Sequence, residues 1–438
     1  MTFLLRTWMG ILPQARKDIN CPPRRRARWA GLRFVVAMLY SVRTRVPALG
    51  VTAKPMAQKN ILLSVGDESG DLHASNLMRA IRVQDADVAF FGLGMQRMKA
   101  EGMEPLEQHE ERGGAMWLHN VLRLREFRRR LGLCREAFRA RRPDLVVLVD
   151  FGGFNLYVAR AAAEAGIPVL YYILPQLWAH GLYRIKKIKK WVTKSLVIYP
   201  FEPELYRRRG LEAQYVGHPL FDELERRPPD EQRVEHVRRT AGGRVVALFP
   251  GSRLQEVRAN LPLMLKSCAR IKGELPGVGF ASVCPEGVRP FVREILRRSE
   301  CEVALPDVRP VELAQAASLC ITKSGTITLE VASQLCPMVI LYCMSPFLWF
   351  LGMGVSATPH IGLVNALAGR VICPEMAMWR PDVDWLAGQS LALLRDEKLH
   401  ARCRRELQEL MSDFARPGAS ERAARVALEM VGRSGGVD

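Results

Sequence analysis

An acid, Asp150, closes the short apolar run Leu145-Val146-Val147-Leu148-Val149 and is followed by Phe151-Gly152-Gly153-Phe154-Asn155. The run is continuous and rich in β-branched residues, the pattern of a strand buried on both faces of a parallel sheet. Ligands of open α/β sheets bind beyond the carboxyl ends of the strands, so a carboxylate there is placed to take a proton as a general base. A helix N-cap is the alternative role, but the two glycines move the helix start toward Asn155. Three other strand ends carry groups suited to anions. Gly66-Asp67-Glu68-Ser69-Gly70-Asp71 lets the backbone come close to a ligand ahead of a helix with free N–H groups; a plain turn with Asp71 as N-cap explains it equally. In Pro250-Gly251-Ser252-Arg253, Gly251 and Ser252 allow close approach to a phosphate, and Arg253 can grip it with forked donors. Its alternative is an ordinary turn with a surface Arg. Ser324-Gly325-Thr326 opens a further helix, with Glu330 near the first turn, where the helix dipole also favours a plain surface Glu.

These groups need strands to hold them. From Asn60 the pattern alternates strand and helix: Ile61–Val65, Val88–Phe91, Leu145–Val149, Val169–Ile173 and Leu196–Tyr199 read as strands, with a long basic helix over Val121–Ala140. A second series has strands at Val245–Phe249, Gly279–Val283, Leu319–Thr322 and Val339–Tyr342, and Leu386 to Val431 reads as helices. Alternation at this spacing predicts doubly wound parallel sheets, here two in tandem. Arg226–Arg238 is polar, contains Pro228-Pro229, and reads as the connection between them. The division expected is a basic extension over 1–55, a first α/β domain over 56–225, a second α/β domain over 241–400 and terminal helices over 401–438.

The chain of 438 residues is 48% hydrophobic and carries a net charge of +19. Eleven Lys or Arg and one acid, Asp18, stand before Met56, so much of that charge is local. The rest is still basic and favours anionic partners: phosphates, nucleotides or an anionic bilayer. This first segment reads as non-structural, with a membrane-surface arm as the alternative. Ten Cys without a CxxC pair suggest neither a zinc site nor a disulfide framework. The longest apolar runs, Phe34–Tyr40 and Met344–Val355, fall short of the ~20 residues of a membrane span. Basic residues beyond the extension are not interleaved with stacking aromatics as a nucleic-acid groove requires. In Met116–Leu131, however, Trp117, Val121, Leu122, Leu124, Phe127 and Leu131 mix with five Arg, which suits an interfacial helix on anionic lipid; a core-facing helix with a solvated basic side is the alternative.

The order of these motifs, together with Pro200-Phe201-Glu202-Pro203-Glu204, Val216-Gly217-His218-Pro219, Gln255-Glu256-Val257, Asn365-Ala366-Leu367-Ala368-Gly369-Arg370 and Pro374-Glu375, resembles the lipid-A-disaccharide synthase family of GT-B glycosyltransferases. The resemblance runs from about Asn60 to Val431. It implies an α/β GT-B fold: two Rossmann-like domains facing a central cleft, the C-terminal helices packing back toward the N-terminal domain. It implies Asp150 as general base and acceptor contacts at Asp67, Ser69, Gly70 and Asn155. Donor contacts are implied at Gly251, Ser252, Arg253, Ser324, Gly325, Thr326, Glu330, Asn365 and Glu375, with Glu330 on the ribose. The implied reaction joins UDP-2,3-diacylglucosamine to 2,3-diacylglucosamine 1-phosphate with inversion, giving a β-1,6 link and UDP; the alternatives are another GT-B enzyme using a UDP-N-acetylglucosamine-type substrate and a non-catalytic paralogue that binds lipid or sugar nucleotide. The implied partners are that donor and acceptor and an anionic inner-membrane surface, with no cofactor, no metal and no nucleic acid; a homodimer is left open. The location implied is cytoplasmic, on the inner face of the membrane. The chain departs from the family at Gly153, where a second Asp is usual, at Cys343 for an Arg, at Val364 for a Pro and at Met378 for a Gln, and Gly352–Ser356 is less basic than usual.

Overall fold

The computed structural model describes residues 59–107, 119–178, 181–343, 359–380 and 382–434. Residues 1–55, expected as a basic extension, lie outside them. Seven strands form the first sheet: β1 (Lys59–Ser64), β2 (Val88–Leu93), β3 (Glu104–Pro105), β4 (Leu145–Val149), β5 (Val169–Tyr172), β6 (Lys194–Val197) and β7 (Gln214–Tyr215). All pair in parallel, in the order β3-β2-β1-β4-β5-β6-β7. Every residue of β4 is fully buried, as its unbroken apolar run requires of a central strand covered on both faces. The helices of this half are α1 (Glu68–Gln84), α2 (Gln96–Ala100), α3 (His119–Arg141), α4 (Asn155–Glu164), α5 (Ile185–Trp191), α6 (Glu202–Arg207) and α7 (Pro219–Arg226).

The second sheet holds β8 (Arg244–Phe249), β9 (Val278–Ser282), β10 (Leu319–Lys323), β11 (Met338–Cys343) and β12 (Glu375–Met378), all parallel, in the order β12-β11-β10-β8-β9. Around it stand α8 (Glu231–Ala241), α9 (Leu254–Glu274), α10 (Arg289–Arg297), α11 (Pro310–Ala316), α12 (Ile327–Ser333), α13 (Leu363–Ala368), α14 (Val383–Arg395) and α15 (Glu397–Phe414). A last helix, α16 (Ala419–Ser434), leaves this half and packs on α1 and α7. Asp222 of α7 accepts backbone hydrogen bonds from Gly418, Ala419 and Ser420 at 2.7–3.0 Å, satisfying N–H groups that the first turn of a helix leaves open.

Two expectations change. The connection between the halves is only Arg227–Asp230, because α8 is a helix of the second half: Val234 and Val237 bury one face against its neighbours, and Asp230 caps its start. A stripe of two valines in a polar segment is too narrow to separate from a loop by composition. The guanidinium of Arg309 ties the connection down through the carbonyls of Arg227, at 2.9 Å, and Pro228, at 2.6 Å. The N-cap of α1 is Asp67, not Asp71, with its carboxylate accepting from the N–H of Gly70 at 2.9 Å. Asp71 instead turns inward, where it accepts from Met95, Arg97 and Met98 at the start of α2. No helix among the described residues is long and apolar enough to cross a membrane.

Candidate active site

Each sheet reverses its winding direction once, and ligands of such sheets sit in the crevice at that reversal. In the first sheet it falls between β1 and β4, in the second between β8 and β10. The turns singled out in the sequence follow these four strands.

Asp150 follows β4 with φ of 46°, and Phe151 has φ of 50°. Bulky residues rarely adopt this left-handed backbone, which costs about 1–3 kcal/mol each and persists only where neighbours impose it. The neighbours are identifiable. The N–H of Asp150 donates to the carbonyl of Tyr172 at 3.2 Å, and its carbonyl accepts from Tyr171 Oη and Asn155 Nδ2, both at 2.8 Å. Among the described residues its carboxylate has neither an ion pair nor a side-chain hydrogen bond. Burial, and next the charge of Asp67, push that carboxyl up from 3.8 to about 6; the Phe151 N–H and Arg253 pull the other way. A carboxylate so poised is ionised near neutral pH yet basic enough to accept a proton. The pull of Arg253, which stands just after β8, places the two reversals within electrostatic reach of each other.

Gly66 has a steric reason to be glycine: a Cβ there would stand 2.0 Å from the Phe151 ring. Ser69, exposed in the first turn of α1, lies 3.3 Å from Nε2 of buried His73. Burial lowers that imidazole to about 4, so it is neutral at pH 7. Gly70 packs between Val65 and the Asp67 carboxylate. Asn155 is fully buried: its amide nitrogen donates to the carbonyls of Ser64, Val149 and Asp150, and its oxygen accepts from Ser64 Oγ. It braces the strand ends and is closed to solvent, so the acceptor contact expected of it is replaced by a positioning role. Nothing lies within 4 Å of a Cβ built at Gly153, so that departure removes a carboxylate without closing space.

In the second half Gly251 has φ of 121°, and its bare Cα lies against Glu256. Glu256 Oε2 accepts from the N–H groups of Ser252, at 3.1 Å, and Arg253, at 3.4 Å. Burial works to raise the Glu256 carboxyl, but Lys323 and these N–H groups outweigh it and hold it below the usual range. Ser252 and Arg253 are exposed, and Arg253 has no ion pair among the described residues. Ser324 donates its hydroxyl to the carbonyl of Ile361; Gly325 and Thr326 form the turn before α12. Glu330, half-buried on α12, has no side-chain hydrogen bond among the described residues, and burial pushes its carboxyl up to about 7 against the pull of Arg309. Two other expected donor contacts are engaged inside the protein. Asn365 is fully buried on Ile372 and Cys373, and Glu375 accepts from the Gly362 N–H at 2.7 Å and lies 3.0 Å from His360 Nδ1. Glu375 fixes Gly362 beside the carbonyl that receives the Ser324 hydroxyl, and Asn365 pins the approach to β12.

Of the residues expected at a membrane, Trp117 lies outside the described residues, as do the side chains of Val121, Leu122 and Leu124. Phe127 stacks on Phe154 with ring centroids 5.3 Å apart and approaches Phe151 at 6.2 Å. Leu131 packs against the core. Leu131 thus serves the core-facing side of α3, whereas Phe127 is 36% exposed despite its ring contacts, and Arg125, Arg128 and Arg129 are exposed beside it. His218 is buried, caps α7 by accepting from the Leu220 N–H at 3.1 Å, and is lowered by burial to about 3. Glu202 is likewise internal, bound to Trp178 Nε1 at 3.0 Å. Sequence reading missed Tyr171 as a brace of Asp150, and missed Lys323, whose ammonium lies 3.1 Å from Glu256 Oε1. A Lys at the last position of a strand that leads into a glycine turn was the available signal. Among the described residues no cluster of His, Cys, Asp and Glu could hold a metal ion.

A family model described as lipid-A-disaccharide synthetase matches residues 61–430. The lipid-A-disaccharide synthase of Geobacter sulfurreducens is 33% identical over 377 residues, covering 85% of this chain and 97% of the relative. That of a Coxiella burnetii strain is 31% identical over 382 residues, covering 86% and 100%. Among solved structures, the S. aureus MnaA–UDP co-structure aligns with a TM-score of 0.61 at 12% identity, over 85% of this chain and 98% of that one. The UDP-GlcNAc 2-epimerase of Neisseria meningitidis bound to UDP-GlcNAc aligns at 0.55 and 11%, over 85% and 100%. The kitacinnamycin glycosyltransferase aligns at 0.55 and 15%, over 85% and 99%. At such identities the structural likeness is one of fold, the GT-B layout of two Rossmann-like halves.

Proposed function

The chain belongs to the lipid-A-disaccharide synthase family of glycosyltransferases, and on that premise we propose that it transfers 2,3-diacylglucosamine from UDP to 2,3-diacylglucosamine 1-phosphate with inversion. Asp150 takes the proton of the acceptor 6-hydroxyl as its oxygen bonds to the anomeric carbon. The bond from that carbon to the diphosphate breaks, and UDP leaves with the electron pair. Arg253 and the turn N–H groups beyond β8 and β10 stabilise the departing charge, aimed donors being the principal means of lowering such a barrier. Asp67, Ser69 and Gly70 at the start of α1 face the acceptor, and Glu330 accepts from the ribose hydroxyls. The exposed arginines of α3 hold the enzyme to the anionic inner leaflet, where the acylated substrates reside.

The observation that carries this reading is Asp150 at the β1–β4 reversal: its carboxyl is raised to about 6, without a side-chain partner among the described residues and within the field of Arg253. Its test is a UDP-release assay with both acylated sugars. Release that requires the acylated acceptor supports the reading, and no release with the pair refutes it. A second reading comes from the fold's likeness to UDP-GlcNAc 2-epimerases. UDP-GlcNAc converted to its C2 epimer without any acceptor would establish that one instead.

A further inference from the structure

The reversal of the second sheet carries a lysine that the reading above does not use. Lys323 is the last residue of β10, immediately before Ser324-Gly325-Thr326. Its ammonium pairs with Glu256 Oε1 at 3.1 Å, while the other oxygen of the same carboxylate holds the N–H groups of Ser252 and Arg253. It also lies 3.5 Å from where a Cβ of Gly325 would stand and 5.9 Å from the centre of the Tyr342 ring. One Lys–Glu pair thus bridges the two glycine turns that flank the crevice. Both side chains are only 20% exposed, so the pair is sheltered yet open on one side.

Glu256 alone is explained by a capping box, in which the third residue of a helix bonds back to the N-cap backbone. That explanation does not require Lys323. An ammonium on a flexible four-carbon stem can shift from one anion to another without disturbing the backbone. A diphosphate carries more charge than one carboxylate and competes for it. We propose that Lys323 is a contact for the donor diphosphate, held ready by Glu256 in the free protein and passed to the phosphate when the nucleotide sugar binds. This rests on the reading that the turns after β8 and β10 receive that donor. Glu256 stays on its two N–H groups and is a positioning residue; Lys323 supplies the second cation of the cradle beside Arg253.

The test compares binding of UDP, by calorimetry, and of uridine, by ligand-observed NMR, in the parent chain, Lys323→Met and Lys323→Arg, with melting temperatures alongside. Losing one charge-assisted contact is expected to weaken UDP binding roughly 10–100-fold. Uridine, which lacks phosphate, should bind all three alike, and Lys323→Arg should recover most of the UDP affinity. If the Met variant does not fold, Lys323→Gln keeps a polar chain and takes its place. A parent that binds UDP while the charge-free variant binds it equally well overturns the lysine assignment alone, as does an equal loss for UDP and uridine. A parent that binds no UDP overturns the donor-site reading and this proposal with it.

Discussion

The side-chain amide of Asn155 reaches back to the carbonyl of Asp150 at 2.8 Å and holds it in left-handed backbone. The two residues are five apart in sequence, one at the end of β4 and the other at the start of α4. The half-buried carboxylate and the amide fully buried beneath it form one unit.

Asp150→Asn keeps shape and removes the proton acceptor. Turnover should fall about 10²–10⁴-fold, the usual contribution of a general base. In the parent, kcat/KM should decline as pH falls through about 6, where the carboxyl takes up its proton. Stability runs the other way. Because the folded carboxyl sits above its ordinary 3.8, stability is lost as pH rises from about 4 to 6. Asn at 150 should therefore keep or raise Tm at pH 7. A variant that turns over within a few-fold of the parent removes Asp150 from the role of base.

Asn155→Ala leaves the Ser64 hydroxyl without its acceptor, and the carbonyls of Ser64, Val149 and Asp150 without this donor. Unfolding in urea should show a loss of about 1–3 kcal/mol, with turnover reduced in the molecules that remain folded. Asn155→Asp, similar in volume but lacking the donor, should fare no better. Full stability in either variant would show that the brace is dispensable.

Glu330→Gln should weaken UDP binding by about tenfold if the carboxylate receives the ribose hydroxyls. UDP affinity of the parent should drop as pH falls below about 7, where that carboxyl becomes protonated. The folded group lies above its ordinary 4.5, so ionising it costs stability and the Gln variant should melt no lower at pH 8. Calorimetry across pH 6 to 8, roughly the physiological window, reads both; unchanged affinity in the variant rejects the ribose contact.

On α3 the two chemistries should separate. Arg125→Glu with Arg128→Glu should release the protein from anionic vesicles, and the parent's binding should fade with salt, since exposed charges are screened. Phe127→Ala should instead lower stability by about 0.5–1.5 kcal/mol beyond the area lost, the contribution of a stacked aromatic pair. Co-sedimentation and melting curves distinguish them. Vesicle binding that ignores the charge reversal would exclude this face of α3.

What was legible in the chain was whatever depends on short stretches. Buried parallel strands announced themselves as unbroken apolar runs, and glycine turns marked their ends. The strand order, which brings Asp67 beside Asp150, was not legible, because pairing is settled between segments far apart. Asp67 and Asp71 exchanged roles for a related reason. Either could cap a helix, and only the position of α2 makes Asp71 an inward acceptor. Asn155 and Asn365 sit inside recognisable motifs, yet burial turns both amides into internal braces. The edge strands β3 and β7, two residues each, are too short to carry a period.

The last helix has a consequence for how the chain is made. α16 packs on α1 and buries Ala423, Ala424, Ala427 and Val431, and its start is held by Asp222. A nascent chain leaving the ribosome can pair all seven strands of the sheet that carries Asp150 before the sheet that carries Lys323 begins, yet the helical cover of that first sheet is finished only when α16 emerges. Until α16 emerges, the side of α1 that it covers stays open to water. A frameshift within the codons for α16 would therefore strike the half of the protein that was translated earliest.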